Sequence, residues 1–428
     1  MTIPSNTLSL PRHESAGADF TAKLRQSIVL ACRWITDVAQ VKTPRLSHGE
    51  RDPGYAYDDW RGAIRSQYRA DLREWGFFCP YWHSSQAAKA LLMAHAAMEE
   101  PAFRQGAEGI GSFLLRQRIT DPDDPDFGLP LAFEDLPQTV NVSAILEGTE
   151  GLFMLSDVTR HRDYERAAID SLQWVADHSY EAGKGVFRDC YTPAIRRFVA
   201  LNDSMKDCTI VERSRPLLDD AVYLKAYHRT GNERFLSIFL ETAEHLLQTE
   251  RPPGNWITYG PCNEYEGTLH PRHAYWWGSP MIDAWKETGE ERFLAAAIRA
   301  AEWYAQALRR DGGFFRVTDL DFNTTSFGHA TSGSASAAIL FLRLAMECDE
   351  SRFLPLARKA LEFCMSVQFT TPSDPNLKGA VLEKITPPAG SDASPYYLRD
   401  LGTIFFVQAG VLALKSEAMP DEAEVKAG

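Results

Sequence analysis

The heptapeptide "TGNERFL" at residues 230–236 returns as "TGEERFL" at residues 288–294. The two copies are 58 residues apart, and each leads into a run with apolar residues every three or four positions, "SIFLETAEHLLQ" and "AAAIRAAEWYAQAL". That periodicity is typical of an amphipathic helix that buries one face. A repeat of this length accommodates two helices and a long loop, so the stretch predicts a chain of helical hairpins.

Weaker copies of the turn extend the repeat over most of the chain. They read "MEEPAF" at 98–103, "TRHRDY" at 159–164 and "CDESRFL" at 348–354. Each turn follows a helix of low polarity, such as "HATSGSASAAILFLRLAM" at 329–346, and low polarity on all sides predicts a buried helix. We therefore expect buried inner helices from about residues 83, 141, 215, 273, 331 and 396, and amphipathic outer helices from about 102, 163, 233, 291 and 352.

Six inner and six outer helices predict an all-α fold, a closed (α/α)6 barrel. The sixth outer helix is the N-terminal run at 18–41, which pairs with the last inner helix. We expect one barrel domain over residues 18–415, with a flexible segment at 1–17 and a polar tail at 416–428. The loops that precede the inner helices are long and share one end of the barrel, which is where function usually resides.

The composition describes an ordinary globular protein, with 44% apolar residues and a net charge of −13 that argues against nucleic-acid binding. No stretch approaches the roughly 20 apolar residues of a membrane span, and the N-terminus lacks the regions of a secretion signal. Seven scattered cysteines without a C-x-x-C pair are typical of reduced thiols. We expect a cytoplasmic protein without nucleic-acid or membrane partners, and a homodimer stays open.

The stretch "RSRPLLDDAVYLKAYHRTG" at 213–231 places two adjacent carboxylates in an apolar helix. Burying a carboxylate costs several kcal/mol unless the group is paired or used. We predict that Asp219 is catalytic and faces the cavity, with Glu147 opposite it as its catalytic partner and Asp220 turned toward a neighbouring helix or loop. Apolar neighbours raise the pKa of Glu147 in this interpretation, as a general acid needs. Two alternatives stay open: Glu150 in place of Glu147, and aspartates that only cap the helix.

Polar and aromatic side chains gather at the starts of the inner helices and predict a sugar-binding mouth. Trp and Tyr faces stack on sugar rings, and charged groups beside them bond hydroxyls or a carboxylate. Arginines and histidines there, Arg272 among them, are expected to hold an anionic part of a small oligosaccharide substrate. Aromatic residues also fill cores, and that interpretation stays open for the tryptophans. The predicted substrate-binding residues are Asp59, Trp60, Trp82, His83, Asn141, Arg213, Arg215, His270, His273, Trp276, Trp277, His329 and Arg399.

The layout resembles the six-hairpin glycosidase superfamily over nearly the whole chain, and short motifs resemble its unsaturated glucuronyl and rhamnogalacturonyl hydrolases. Those enzymes have a catalytic aspartate near the start of an inner helix that ends in a Thr-Gly turn, and a later aromatic inner helix with a similar ending. Here the two helices are 213–231 and "HAYWWGSPMIDAWKETG" at 273–289. The position of the family's catalytic aspartate holds Arg215, and the tryptophan beside it is missing. The tryptophan-rich helix is also similar to acylglucosamine epimerases, which share the barrel.

The sequence leaves three functions open: a glycoside hydrolase, a lyase or epimerase, and a barrel that binds without catalysis. The resemblance and the paired carboxyls favour an exo-acting glycoside hydrolase on uronic-acid oligosaccharides, with one carboxyl as acid and the other as base or nucleophile. A barrel that binds without catalysis is another alternative. No cofactor or metal is expected, because phosphate- and dinucleotide-binding motifs are absent and the spacing of His270 and His273 is weak support for zinc. A uronide lyase or sugar epimerase would instead move protons with His83, His273, His329, Tyr265 and Tyr275.

Overall fold

The structure, a computed structural model, describes residues 15–55, 57–134, 136–199, 214–324, 329–383 and 396–416, without the side chains of 15–18. Most of the predicted flexible segment at 1–17 and of the polar tail at 416–428 lies outside the described residues. None of the described helices combines the length and the apolar composition that crossing a bilayer requires. The twelve α-helices of the described chain are α1 (Ser15–Arg33), α2 (Pro80–Met98), α3 (Pro101–Arg116), α4 (Val142–Thr159), α5 (Arg162–His178), α6 (Val222–Thr230), α7 (Glu233–Thr249), α8 (His273–Thr288), α9 (Glu291–Ala307), α10 (Thr331–Glu347), α11 (Leu354–Ser366) and α12 (Leu401–Lys415).

The helices alternate between two rings. Even-numbered helices contact one another around a central axis, since α2 touches α4 and α12, and α10 touches α8 and α12. Each inner helix also packs against an odd-numbered one, for example α2 on α3 and α8 on α9, and α1 packs on α12 to complete the ring. The structure is therefore the predicted (α/α)6 barrel, and the prediction of fold class is confirmed. We call the end where inner helices begin the loop end, and the end where they finish the turn end.

The polarity of each helix explains its place. In α10 every residue from Thr331 to Leu342 is buried, and in α12 every residue from Leu401 to Val411. An outer helix such as α9 buries one stripe, which includes Phe293, Ala297, Ala300 and Tyr304. That spacing of three or four residues is the one expected of an amphipathic helix. The hydrophobic pattern thus decides which ring a helix joins.

Most predicted helix starts lie within three residues of the observed ones, and two do not. The prediction for the inner helix at 215 is wrong, because Asp219–Ala221 forms a single 3-10 turn and α6 begins only at Val222. Asp220 and Ala221 have φ angles of 50° and 51°, a left-handed conformation that a continuous right-handed helix excludes. The start predicted at 396 is also early, since the strand Tyr397–Arg399 precedes α12.

Short strands organise the loop end. Three sheets of two- or three-residue strands lie among the loops of the described chain. Asn141, Arg215 and Arg399 belong to strands that run into α4, the turn before α6, and α12, so the sheets fix where these side chains start. The strands are β1 (Glu50–Arg51), β3 (Glu74–Gly76), β2 (Gln67–Arg69) and β10 (Tyr397–Arg399) in the first sheet, β4 (Val140–Asn141), β7 (Cys190–Thr192) and β8 (Arg197–Phe198) in the second, and β5 (Tyr180–Glu181), β6 (Val186–Arg188) and β9 (Ser214–Arg215) in the third.

A glycine with positive φ stands in each long loop before an inner helix, pressed against an outer helix. A Cβ atom at any of these six positions would lie only 2.1–2.7 Å from a backbone carbonyl oxygen of that outer helix. Only glycine combines the left-handed conformation with so close an approach. We call these residues the loop glycines: Gly62 on α3, Gly128 on α5, Gly185 on α7, Gly254 on α9, Gly312 on α11 and Gly379 on α1.

Gly254→Ala is expected to lower the free energy of unfolding by about 2–4 kcal/mol, as measured by urea denaturation. The added methyl group would meet the carbonyl oxygen of Arg299 at 2.1 Å, and the backbone has a φ of 81°. Gly267→Ala is the matched control, because its φ is 67° but nothing lies within 4 Å of the added Cβ. We expect the control to lose only about 1 kcal/mol. Equal losses in the two variants would show that the contact with α9 is unimportant.

Candidate active site

A cavity of about 290 Å³ runs along the barrel axis. Residues from the inner helices and from the 3-10 turn before α6 form its wall. Its volume is at the lower end of the range for ligand-binding pockets. The wall includes Gln86, Lys89 and Met93 from α2, Glu147, Glu150 and Met154 from α4, Asp219, Asp220 and Lys225 from the third inner segment, Tyr275, Trp276, Ser279 and Asp283 from α8, Ile339 and Arg343 from α10, and Phe405, Gln408 and Leu412 from α12.

Glu147 and Asp219 share this cavity without an ion pair to any described residue. Burial raises the pKa of the Glu147 carboxyl well above its usual range, and the Asp219 carboxylate raises it further. Burial and the adjacent Asp220 carboxylate raise the pKa of Asp219 to about 7. Both carboxyl groups therefore have pKa values above their usual range. Two carboxyl groups with raised pKa values in one cavity are suited to acid–base catalysis.

The other acidic residues of the cavity wall are neutralised by neighbouring helices. Each has a lysine or arginine nitrogen within 3.0 Å. A paired buried carboxylate is more often structural than catalytic. Glu150, the alternative to Glu147, is therefore already paired with Lys225. Asp220 is paired with Lys89 of the inner helix α2. These three cavity ion pairs are Lys89–Asp220 at 2.6 Å, Lys225–Glu150 at 2.8 Å and Arg343–Asp283 at 3.0 Å.

The break before α6 separates the two adjacent aspartates. With Asp220 and Ala221 both left-handed, the chain turns sharply between the 3-10 turn and the helix. Non-glycine residues in that conformation cost on the order of 1–3 kcal/mol each and are held by their surroundings. Here Asp220 forms an ion pair with Lys89, whereas Asp219 lies at the cavity wall without an ion pair to a described residue. Strain of this kind clusters at functional sites.

Two buried arginines lie at the loop end. Arg272, next to the first residue of α8, places its guanidinium 4.7 Å from the ring centre of Trp276 and 5.5 Å from that of Trp82. Arg399 lies 4.5 Å from the ring centre of Phe78. Arg272 Nη1 and Arg399 Nε have no hydrogen-bond partner among the described residues, and neither do the indole nitrogens of both tryptophans. Buried donors without acceptors favour a ligand that supplies oxygen atoms or negative charge.

The arginines at the loop end also repel one another. Burial lowers the pKa of Arg272, and the positive charge of Arg399 lowers it further. Burial and Arg399 together lower the pKa of Arg316 to about 10. Glu383 offsets part of this charge, although its carboxylate also accepts hydrogen bonds from the backbone and hydroxyl of Ser332 at 2.7 Å. A bound anion would relieve the remaining repulsion.

Two buried histidines at the loop end are held in a neutral form. His83 Nδ1 lies 2.7 Å from an oxygen of Asp400, and both side chains are fully buried. His273 Nδ1 lies 2.9 Å from Cys262 Sγ. Burial lowers the pKa of His83, and burial with the charge of Arg215 lowers the pKa of His273 to about 3. The Nε2 atoms of both rings lack a hydrogen-bond partner within the described ranges.

The predicted anion-binding role of Arg215 needs correction. Its guanidinium lies 2.6 Å from the fully buried carboxylate of Asp189 and donates to the carbonyl of Gly260 at 3.2 Å. The charge is therefore already compensated by a buried partner. Of the arginines in that prediction, Arg272 and Arg399 each have one nitrogen without a hydrogen-bond partner among the described residues. Arg213 lies outside the described residues.

Other predicted binding residues are not brought to the cavity wall. Trp60 packs among Tyr57 and Phe77, and Trp277 among Trp256, Tyr259 and His273, so both are core residues. Asp59 pairs with Arg61 and Arg116, and the hydrogen bond from Arg61 lowers the pKa of Asp59 to about 2. Their aromatic or charged character in the sequence did not distinguish packing from ligand binding.

The remaining predicted residues lie either at the cavity wall or nearer the loop end. Trp276 lines the cavity, and the ring of His270 stacks on it at 5.6 Å. Asn141 and His329 are buried beside strand backbone at the loop end. Of the tyrosines considered for proton transfer, Tyr275 lines the cavity, whereas Tyr265 is 97% exposed.

The sequence analysis missed the cations of the cavity and the partner of His83. Lys89 is the single lysine or arginine of the otherwise apolar helix α2, and Arg343 shares α10 with one other charge, Glu347. Such an isolated charge in an apolar helix is a signal of a buried partner. Asp400 pairs with His83 across 317 residues of chain, and no local pattern reveals that contact. No group of three or more His, Cys, Asp or Glu side chains in the described part of the chain is arranged to hold a metal ion.

Comparison with known proteins identifies the fold. No protein-family model and no curated protein matches the sequence. Cellobiose 2-epimerase from Spirochaeta thermophila aligns with a TM-score of 0.63 at 14% identity, over 92% of this chain and 98% of that chain. An unsaturated glucuronyl hydrolase specific for heparin aligns with a TM-score of 0.63 at 12% identity, over 95% of this chain and 98% of that one. D-mannose isomerase aligns with a TM-score of 0.61 at 13% identity, over 95% of this chain and 100% of that chain.

The aligned proteins differ in reaction, since their names include a hydrolase, an epimerase and an isomerase. At identities of 12–14% the likeness establishes architecture rather than activity. The alignments span nearly the whole of this chain. The chain therefore has the six-hairpin (α/α)6 barrel fold of these enzymes.

Proposed function

We propose that the protein is a carbohydrate-active enzyme that hydrolyses a glycosidic bond. The observation that carries the proposal is the pair Glu147 and Asp219, two carboxyl groups in one cavity with raised pKa values and no ion-pair partner among the described residues. Glycosidases generally use two such groups. The likeness in fold to a glucuronyl hydrolase, a cellobiose epimerase and a mannose isomerase supports sugars as the substrate class.

In the proposed reaction Glu147 is the acid, because its pKa is raised well above the usual range. It donates its proton to the glycosidic oxygen as the bond between that oxygen and C1 breaks. Asp219 takes a proton from the water molecule whose oxygen forms the new bond to C1. The leaving sugar gains the proton of Glu147 and the anomeric carbon gains hydroxyl, so one water molecule is consumed. Proton exchange with solvent then restores both carboxyls.

The proposed substrate is an oligosaccharide with a uronic acid at its end, cut in an exo-acting manner. The unpaired donors of Arg272 and Arg399 support a carboxylate at the loop end. Trp276 contacts Arg272 and also lines the cavity of the two acids, so the part of its indole at the cavity wall supports contact with a sugar ring there.

A sugar epimerase or uronide lyase is the second candidate. The observation in its favour is the pair of neutral rings of His83 and His273, each with an unpartnered Nε2 atom. A neutral imidazole can take a proton from carbon, and Asp400 would stabilise the imidazolium formed at His83. A nearby guanidinium such as Arg272 would stabilise the negative charge on the substrate.

One experiment separates these reactions. The protein is incubated in heavy water with two disaccharides, one with glucuronate at the non-reducing end and one with a reducing-end glucuronate glycosylated at O4, and each is followed by proton NMR. Hydrolysis produces two sugars in equal amounts without deuterium on carbon. Epimerisation puts deuterium on carbon with the glycosidic bond intact, and a lyase produces a vinyl proton. Saturable binding without any chemical change would contradict catalysis and favour a binding barrel.

A further inference from the structure

The central cavity extends to within two helical turns of the turn end. Inner helices α2 to α10 each finish at or beside a residue with positive φ, namely Glu99, Arg160, Gly231, Gly289 and Asp349. The residue six positions before each of these lines the cavity, and Leu412 of α12 joins them. At 1.5 Å per residue, the residues of α2 to α10 in this ring lie about 9 Å before those positive-φ residues. We call this ring the turn-end layer: Met93, Met154, Lys225, Asp283, Arg343 and Leu412.

The turn-end layer is more exposed than its surroundings. All six side chains are half-buried, although Leu342 and Leu344 on either side of Arg343 are buried. Exposure falls with depth, since Lys225 keeps 37% of its side-chain surface and Lys89, one turn deeper, keeps 11%. If the axis were closed here, residues facing it would be the most buried of all. Solvent therefore reaches the barrel axis from the turn end.

The passage is continuous with the two carboxyls. Lys89 and Ser279 form the next level of the same cavity, and Glu147, Asp219 and Trp276 stand at the level above. A molecule that enters at the turn end can reach Glu147 and Asp219 without crossing the loop end. The arginines at the loop end, Arg272 and Arg399, do not line this cavity.

The cavity wall is close to neutral in charge. All the lysines and arginines that line it belong, within the described chain, to the three cavity ion pairs. Neither Glu147 nor Asp219 supplies a positive charge, and Asp219 opposes the entry of an anion when it is ionised. Apolar side chains such as Ile339 and Phe405 fill much of the remaining wall. The wall thus combines apolar faces with hydrogen-bonding pairs and has no free cation.

We propose that this cavity binds one neutral sugar ring, which enters and leaves through the opening at the turn end. A sugar presents apolar C–H faces and a rim of hydroxyls, which match the apolar side chains and the ion pairs of the wall. The volume, about 290 Å³, suits a single ring rather than an extended chain. The identity of the ligand as a sugar rests on the proposed function, whereas the opening does not. A substrate with its anionic unit at Arg272 and its neutral unit in this cavity would place the bond between them near Glu147 and Asp219.

The first test is a binding measurement with Met93→Trp. We use methyl β-D-glucopyranoside as the neutral probe and follow its titration by ligand-observed NMR. The indole fills the turn-end layer, so we expect the dissociation constant to rise about tenfold or more. The matched control is Met346→Trp, at an exposed position of α10 outside the cavity wall, where affinity should stay within about a factor of two. Unchanged affinity in Met93→Trp, or no saturable binding to the unaltered protein, overturns the proposal.

A second test needs no bulky substitution. The thiol introduced by Met93→Cys should react quickly with a water-soluble methanethiosulfonate reagent, and the glucoside should slow that reaction. Leu92→Cys is the control, because Leu92 is only 1% exposed and faces away from the cavity wall. Peptide mapping separates the introduced thiol from the natural cysteines. Labelling of Met93→Cys as slow as that of Leu92→Cys shows that the turn end is closed and overturns the proposal.

These outcomes are distinct from failure of the proposed function. If the glucoside protects the Met93→Cys thiol while the NMR assay shows no bond cleavage, the neutral-sugar site stands and hydrolysis fails. If bond cleavage depends on Asp219 while Met93→Trp binds the glucoside normally, hydrolysis stands and the turn-end site fails.

Discussion

Asp219→Asn is expected to reduce kcat by at least about a hundredfold and, above neutral pH, to raise the melting temperature. The amide keeps the size of the side chain but accepts no proton and develops no charge. The reaction loses its second carboxyl group, while the buried turn before α6 loses a charge that has no ion pair among the described residues and stands beside the Asp220 carboxylate. Steady-state kinetics and thermal unfolding of the same preparations measure both effects.

The sign of the stability effect follows from proton binding. The pKa of Asp219 is raised to about 7 in the folded protein, above its ordinary value of 3.8. Between these values the folded protein holds a proton that the unfolded chain has released, so the stability present at acidic pH is lost as the pH rises toward about 7. Asparagine has no such dependence. The stability of the variant relative to that of the unaltered protein should therefore increase from about pH 4 to about pH 7 and stay constant above that.

Asp220→Asn is the matched control, because it makes the same chemical change one residue away. It leaves Lys89, at 11% exposure, without its counter-charge at 2.6 Å. We expect a loss of about 3 kcal/mol in stability, typical of a broken buried ion pair, and a smaller effect on kcat. If Asp220→Asn abolishes turnover and Asp219→Asn does not, the two roles are exchanged. If both stay active while substitutions of His83 or His273 are inactive, proton transfer by histidine replaces hydrolysis.

Arg272→Ala is expected to weaken binding of glucuronate by about 10- to 100-fold, the effect of losing charge-assisted hydrogen bonds to a carboxylate. Glucose, which has the same ring without the charge, should bind the variant almost as well as it binds the unaltered protein. Isothermal titration with both sugars measures the difference. Arg399→Ala should act in the same direction, since its guanidinium also has an unpaired donor.

The control for this prediction is Arg215→Ala. It leaves the fully buried carboxylate of Asp189 without its cation, and we expect a loss of about 3 kcal/mol in stability. Its effect on glucuronate relative to glucose should be small, because Asp189 already holds the guanidinium. Equal weakening of both sugars by Arg272→Ala would show that Arg272 only supports Trp82 and Trp276.

The fold was predictable because local patterns decide it. The turn "TGNERFL" and its copies mark the ends of inner helices, and the apolar spacing assigns each helix to a ring. The loop glycines were not predicted, although each loop contains one. Glycine is required there because an added Cβ atom would lie 2.1–2.7 Å from a carbonyl oxygen of an outer helix. That helix comes later in the chain than the glycine, except for Gly379, which contacts the first helix. Such tertiary contacts leave no local pattern.

The candidate site was predictable in part. Glu147 and Asp219 were singled out because a charge in an apolar helix needs a reason, and both lie at the wall of one cavity, while their catalytic role stays a prediction. The helical spacing was misleading at Asp220, where an ion pair with Lys89, 131 residues earlier, holds a left-handed turn. The same long-range effect pairs Arg215 with Asp189, whereas Nη1 of Arg272 has no hydrogen-bond partner among the described residues. Sequence reveals which residues are costly to bury, whereas partners distant in the chain decide which of them remain unpaired.

The contacts of the loop glycines affect how the protein unfolds. In a linear array of repeats, the terminal units lack one neighbour and fray first. Here Gly379 rests on α1, so the last loop supports the first helix and no repeat is terminal in space. Unfolding of any one hairpin must break contacts on both of its sides. We therefore expect a single cooperative transition, in which the amide hydrogens of α1 exchange as slowly as those of α7 at the opposite side of the ring.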